Sequence, residues 1–200
     1  MHSRPLLSLG IVIALVVSTS AQSVLADSDT VRDGRNVSSN PFDIRLATAD
    51  HRGTLLRHSI RTYRAWRSGE LRSTRRQPRV FCLYVWSGVS IVKRKPEYQI
   101  CATYRNGKVR GYLFEAGSKR RTQGGIIVKR FDLRSVTFTF GPEVIGDPPT
   151  YRWQAVTGYT GKGCPRDPPF QFGCDDSAPT KGADVHDLAP VEPPDTSRAN

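Results

Sequence analysis

Beyond its first 26 residues the sequence has no apolar run approaching the roughly 20 residues that a membrane-spanning helix needs. It holds four histidines, and only His51, His58 and His186 follow residue 26. It has no Gly-x-Ser-x-Gly elbow, no His-Glu-x-x-His zinc motif and no phosphate-cradling glycine loop. The signatures from which nucleophilic, metal-assisted and nucleotide-dependent catalysis are read are therefore missing, and the chain reads as a non-enzyme without a cofactor. Its cysteines lack a Cys-x-x-Cys spacing, so zinc has no ligand pattern and no metal is expected. Asp175 and Asp176 are far short of the roughly six to eight oxygen ligands that calcium takes. Glu97, Glu115 and Glu143 would have to pair for glycoside hydrolysis, but spacing along strands does not reveal carboxylate separation, and surface charge is the plainer reading. His58 reads as a packing residue, and His186 beside Asp187 is too common a neighbour pair to carry a role.

What the sequence does carry begins with export. Arg4 precedes an apolar stretch at 6–17, and small residues then lead to Val24-Leu25-Ala26, the three-part layout of a signal peptide over residues 1–26. The apolar stretch is 12 residues long, too short to span, although an uncleaved amino-terminal anchor is the competing reading. Either way the chain leaves the cytoplasm, and the expected location is secreted and extracellular. The remaining 174 residues suit one domain. In an oxidising compartment Cys82, Cys101, Cys164 and Cys174 are expected to form two disulfides. Of the three pairings four cysteines allow, the local ones are favoured, Cys82 with Cys101 across a hairpin and Cys164 with Cys174.

The pattern along the chain is that of short strands. Residues 27–41 are polar and end in Asn40-Pro41, which reads as a flexible leader before a domain over 42–188. Residues 54–68 fit two periods. Leu55, Leu56, Ser59 and Ile60 follow a helical spacing, while Leu56, His58, Ile60 and Thr62 alternate as in a strand. The β preference of Thr, Ile and Tyr favours two strands around a turn at 50–53. Residues 80–86 and 98–105 are strand-like, and Asn106-Gly107 is the two-residue pair that a type I′ hairpin demands. That turn places Arg105 opposite Lys108 and Tyr104 opposite Val109, and puts Ile100, Ala102 and Tyr104 on one apolar face with Val109, Gly111 and Leu113. Further strands are expected at 126–131, 135–140 and 151–157, and Tyr151, Trp153 and Ala155 share a side of the last. Several short strands between turn signals predict an all-β fold, an antiparallel β-sandwich that is jelly-roll-like and carries two disulfides. The proline-rich segment 189–200 reads as a disordered tail.

The chain resembles a group of uncharacterised secreted β-sandwich proteins of GC-rich bacteria that are themselves similar to carbohydrate-binding modules. The resemblance rests on Phe42-Asp43-Ile44, Thr62-Tyr63-Arg64-Ala65-Trp66, the stretch from Asn106 to Tyr112, Tyr151-Arg152-Trp153, the stretch from Cys174 to Gly182 and His186-Asp187-Leu188. It implies the sandwich fold and supports the second disulfide, and it carries no activity or site residue with it.

Charge supplies the remaining signal. Residues 27–164 hold 26 basic and 11 acidic groups, and nine arginines stand between Arg52 and Arg79. Arg57, Arg61, Arg64 and Arg67, with Tyr63, Trp66 and the later Trp86, form the candidate ligand-binding set, because guanidinium groups beside aromatic rings suit phosphate, sulfate or carboxylate ligands with some stacking. A solvated basic face and buried aromatic rings are the alternative. Nucleic acid has no recognisable module here and conflicts with export. The expected partner is therefore a cell-surface polysaccharide or another anionic polymer. The alternative is a structural or envelope-interaction protein without a small ligand.

Overall fold

The computed structural model describes residues 28–37, 39–87, 95–118, 121–165 and 173–188; the expected signal peptide, most of the 87–97 loop and the tail from residue 189 lie outside them. The Asn106-Gly107 turn forms as its residue types require, with φ of 51° and 80°. It joins β5 (Tyr98–Arg105) to β6 (Lys108–Glu115) with Arg105 opposite Lys108 and Tyr104 opposite Val109. β4 (Arg79–Trp86) pairs antiparallel with β5, and Cys82 falls directly opposite Cys101 with Cα atoms 4.0 Å apart. Both local disulfides are present, Cys82–Cys101 and Cys164–Cys174.

Residues 44–62 resolve as strands. β2 (Ile44–Arg52) turns at Gly53, where φ is +60°, into β3 (Leu55–Thr62). The strand wins over the helix because Leu56, His58, Ile60 and Thr62 are all buried while Arg57, Ser59 and Arg61 face outward. The short β7 (Ile127–Lys129) leads to β8 (Ser135–Phe140), which pairs with β3, and β9 (Thr150–Tyr159) pairs with β4.

Two features depart from the sequence expectation. Part of the segment read as a flexible leader is β1 (Ser28–Arg32), paired residue by residue with β2. Its apolar content is a single Val31, so the strand is held by its ladder and by Asp29 rather than by a hydrophobic face. The polar stretches β10 (Cys174–Ala178) and β11 (Asp184–Asp187) are also strands, lying end to end along one edge of β9.

The result is two antiparallel sheets packed face to face, ordered β1-β2-β3-β8-β7 and β10-β9-β4-β5-β6 with β11 continuing along β9. Between them lies a core that includes Phe42, Leu56, Ile60, Phe81, Leu83, Ile100, Phe138, Phe140, Tyr151 and Trp153. Trp66 belongs to this core, 2% exposed, with its ring against Phe42 and Phe81.

Candidate functional site

Alternation along β4, β5 and β6 decides what the second sheet places on its outer face, where Val80, Cys82, Cys101, Tyr112 and Val156 form a second, small buried cluster. Phe81, Leu83 and Val85, Ile100 and Ala102, and Leu113 point into the core. Val80, Cys82 and Tyr84, Gln99, Cys101 and Thr103, and Tyr112 and Phe114 point the other way. Register then assembles rows across the outer face: Val156, Cys82, Cys101 and Tyr112 form one, and Gln154, Tyr84, Gln99 and Phe114 the next. Three aromatic side chains and a disulfide thus share a face that has no third layer of strands among the described residues.

Connecting segments turn this face into a groove of about 740 Å³. The arginine-rich link after β3 builds one wall, with Ser73, Thr74 and Arg75, and the segment after β6 builds another, with Ala116, Gly117, Ser118 and Arg121. Paired hydrogen bonds between Leu113 and Thr122 hold the second wall beside β6. The Arg121 guanidinium lies 5.0 Å from the Tyr112 ring centroid and 4.8 Å from that of Phe114, and the two rings meet edge to face at 5.4 Å. Among the described residues Arg75, Lys95, Arg105 and Arg121 line the groove with one carboxylate, Glu115, and a second, Asp175, acts on Tyr84 from beside it, so cations outnumber acids there.

The phenols are kept as hydrogen-bond donors. Burial raises the Tyr84 pKa, helped by the charge of Asp175. Burial also raises that of Tyr112, against the opposing pull of Arg121. At neutral pH both are uncharged. Tyr112 is only 9% exposed, packed edge to face on Phe114 under the Arg121 guanidinium, so the half-buried Tyr84 and Phe114 supply the ring area of the groove, beside an amide at Gln99 and cations at the rim. Of the three glutamates considered above, only Glu115 lines the groove. Glu97 accepts hydrogen bonds from the Ser87 backbone and hydroxyl.

The ligand set expected from the sequence is elsewhere. Arg57 and Arg61 stand on the outer face of β3, in the other sheet, where Arg61 pairs with Asp132 at 3.4 Å. Tyr63 donates its hydroxyl to the Asp33 carbonyl at 2.7 Å, and Arg64 and Arg67 are exposed in the link after β3. Trp66 presents no face to a ligand, because Phe42 and Phe81 occupy its surroundings and the Arg130 guanidinium covers it at 3.6 Å. Trp86 ends β4, half-buried. None of these seven residues lines the groove. Sequence reading passes over Tyr84, Tyr112, Phe114 and Arg121, although the signal is there: β4 and β6 carry large side chains on both of their alternating faces, one more apolar face than a single core uses.

Among the described residues no group of three or more His, Cys, Asp and Glu is arranged to hold a metal ion, and no helix is long and apolar enough to cross a membrane. No protein-family model, no curated protein and no solved structure matches the chain.

Proposed function

We propose that the protein is an exported, non-enzymatic binding domain whose ligand is an anionic polymer, a surface polysaccharide first, seated in the groove on the outer face of the second sheet. The observation that carries this reading is the combination at one place of an aromatic floor, Tyr84, Tyr112 and Phe114, with a cationic rim. Sugar rings bury apolar faces against aromatic side chains while their hydroxyl groups stay hydrogen-bonded, and ionised substituents pair with guanidinium groups. The two disulfides suit an oxidising compartment, in keeping with the signal-peptide pattern at the amino terminus.

Binding to uronate-containing and sulfated glycans, measured by calorimetry at low and physiological salt, tests it. Tyr112→Ala and Arg121→Glu should each weaken binding by about tenfold, the effect of removing one stacked ring or one charge-assisted hydrogen bond. Added salt should weaken the wild type and have less effect on Arg121→Glu, because exposed charge is screened over about 8 Å. Absence of binding to every anionic glycan at low salt, or binding indifferent to both substitutions, overturns the assignment.

A further inference from the structure

The first sheet presents a different surface on the opposite side of the sandwich. Five large hydrophobic residues are exposed among those described, and four of them, Leu55, Ile127, Phe131 and Leu133, belong to this sheet or to the loop joining β7 to β8; Val185, on β11, is the fifth. Ile127 stands opposite Thr139, which stands opposite Arg57, so Ile127 and Arg57 share the outer face. Leu55, two residues before Arg57 on β3, shares it too. Phe131 and Leu133 are each 66% exposed.

Their exposure is built in, because the loop that carries them is pinned. The Trp66 amide donates to the Leu133 carbonyl at 2.9 Å, and the Thr62 amide donates to the Arg134 carbonyl at 2.9 Å. Asp132 accepts the Arg134 amide at 2.7 Å. The Arg130 guanidinium donates to the Trp66 carbonyl at 2.8 Å and to the Ser68 hydroxyl at 2.7 Å. A loop tied at this many points could have turned its apolar side chains inward, yet it holds Phe131 and Leu133 out. Cations surround them. Lys129 and Arg134 flank the loop tip, Arg61 is alongside, and the Arg57 guanidinium lies 5.4 Å from the Phe131 ring. Asp132, paired with Arg61, is the acid of the loop.

We propose that this loop and the adjoining outer face of the first sheet dock on an anionic lipid bilayer, with Phe131 and Leu133 entering the interface and Lys129, Arg134 and Arg57 meeting the headgroup phosphates. Protruding apolar side chains bury area that a soluble polyanion does not offer, and the surrounding cations select a negatively charged surface. The surface is separate from the groove, so either assignment stands or falls without the other.

Co-sedimentation of the mature protein tests it, using vesicles of phosphatidylcholine containing about a third phosphatidylglycerol against vesicles of phosphatidylcholine alone. Binding should require the anionic lipid and weaken with salt. Phe131→Ser combined with Leu133→Ser should weaken it by at least about tenfold, the scale of one buried side chain's transfer. Arg134→Glu should weaken it without altering the thermal unfolding midpoint, and the groove substitution Tyr112→Ala should leave it unchanged. Four results overturn the proposal: no binding to anionic vesicles at low salt, equal binding to both vesicle types, displacement by soluble glycerol phosphate, or a dimer in the absence of lipid that Phe131→Ser dissociates.

Discussion

His58 shows how much one buried side chain reports. It faces Ala49 on one neighbouring strand and Phe138 on the other, stacks on Phe140, and shares a 2.7 Å hydrogen bond between Nε2 and the Tyr151 hydroxyl. Burial, reinforced by His186, lowers its pKa to about 3. His186 in turn holds Asp29 at 2.5 Å, a contact that ties β11 of one sheet to β1 of the other. Asp176 is the opposite case. Burial raises its pKa to about 7, against the hydrogen bond it accepts from the Ile44 amide. The two groups give stability slopes of opposite sign. The unfolded His58 binds a proton that the folded one refuses, so its contribution is present above about pH 6.5 and falls by about 1.4 kcal/mol per unit as pH drops toward 3. The folded Asp176 keeps a proton that the unfolded one loses, so its contribution is present below about pH 3.8 and fades as pH rises to about 7. The slopes oppose each other from about pH 4 to 6.5, where stability should be nearly flat. Asp176→Asn imitates the protonated acid and should uncover the histidine slope. Urea unfolding of both proteins at several pH values checks this, and a variant that stays flat across that window contradicts it. The alternation along β3 marks His58 as a packing residue, but its partners, and the burial of Asp176, are not legible in the sequence, because they come from strands distant along the chain.

At the scale of the element, the hairpins are the most legible part of the molecule. Asn106-Gly107 sets the register of β5 and β6, and that register puts Ile100, Ala102 and Leu113 in the core. Turn chemistry and alternation are local, so a local reading suffices. β1 and β10 are illegible for the complementary reason, since Ser-Asp-Thr-Val-Arg and Cys-Asp-Asp-Ser-Ala have almost no apolar alternation and become strands only because a neighbour offers an edge. The close approach of β6 to β7 has a testable consequence. A Cβ on Gly111 would lie 2.7 Å from methyl groups of both Ile126 and Val128. Gly111→Ala should therefore cost about 1 to 3 kcal/mol by overpacking. Val128→Ala in the same chain should recover part of that loss in a denaturation series. A neutral Gly111→Ala would mean that the two strands stand further apart.

On the scale of the whole molecule, the Cys82–Cys101 bond joins stability to the groove, because it lies in the floor between Val156 and Tyr112. Cys82→Ser should lower stability by about 3 kcal/mol in the chain-entropy account without abolishing the fold. Glycan affinity should fall with it, and peptide mapping without reduction should recover both local pairs from the wild type. A Cys82–Cys164 peptide would overturn the register of the second sheet. The sequence alone determined that the chain is built of short antiparallel strands, that the local cysteine pairs are the favoured ones, and that positive charge concentrates between Arg52 and Arg79. All three follow from interactions among near neighbours. Only the tertiary structure decided that β3 meets β8 and β4 meets β9. It alone buried Trp66, and it placed Arg57 and Arg61 on the face opposite the aromatic groove. Alternation states which side chains share a face of a strand, but whether that face meets a second sheet, a covering loop or water depends on segments that come together only when the chain folds.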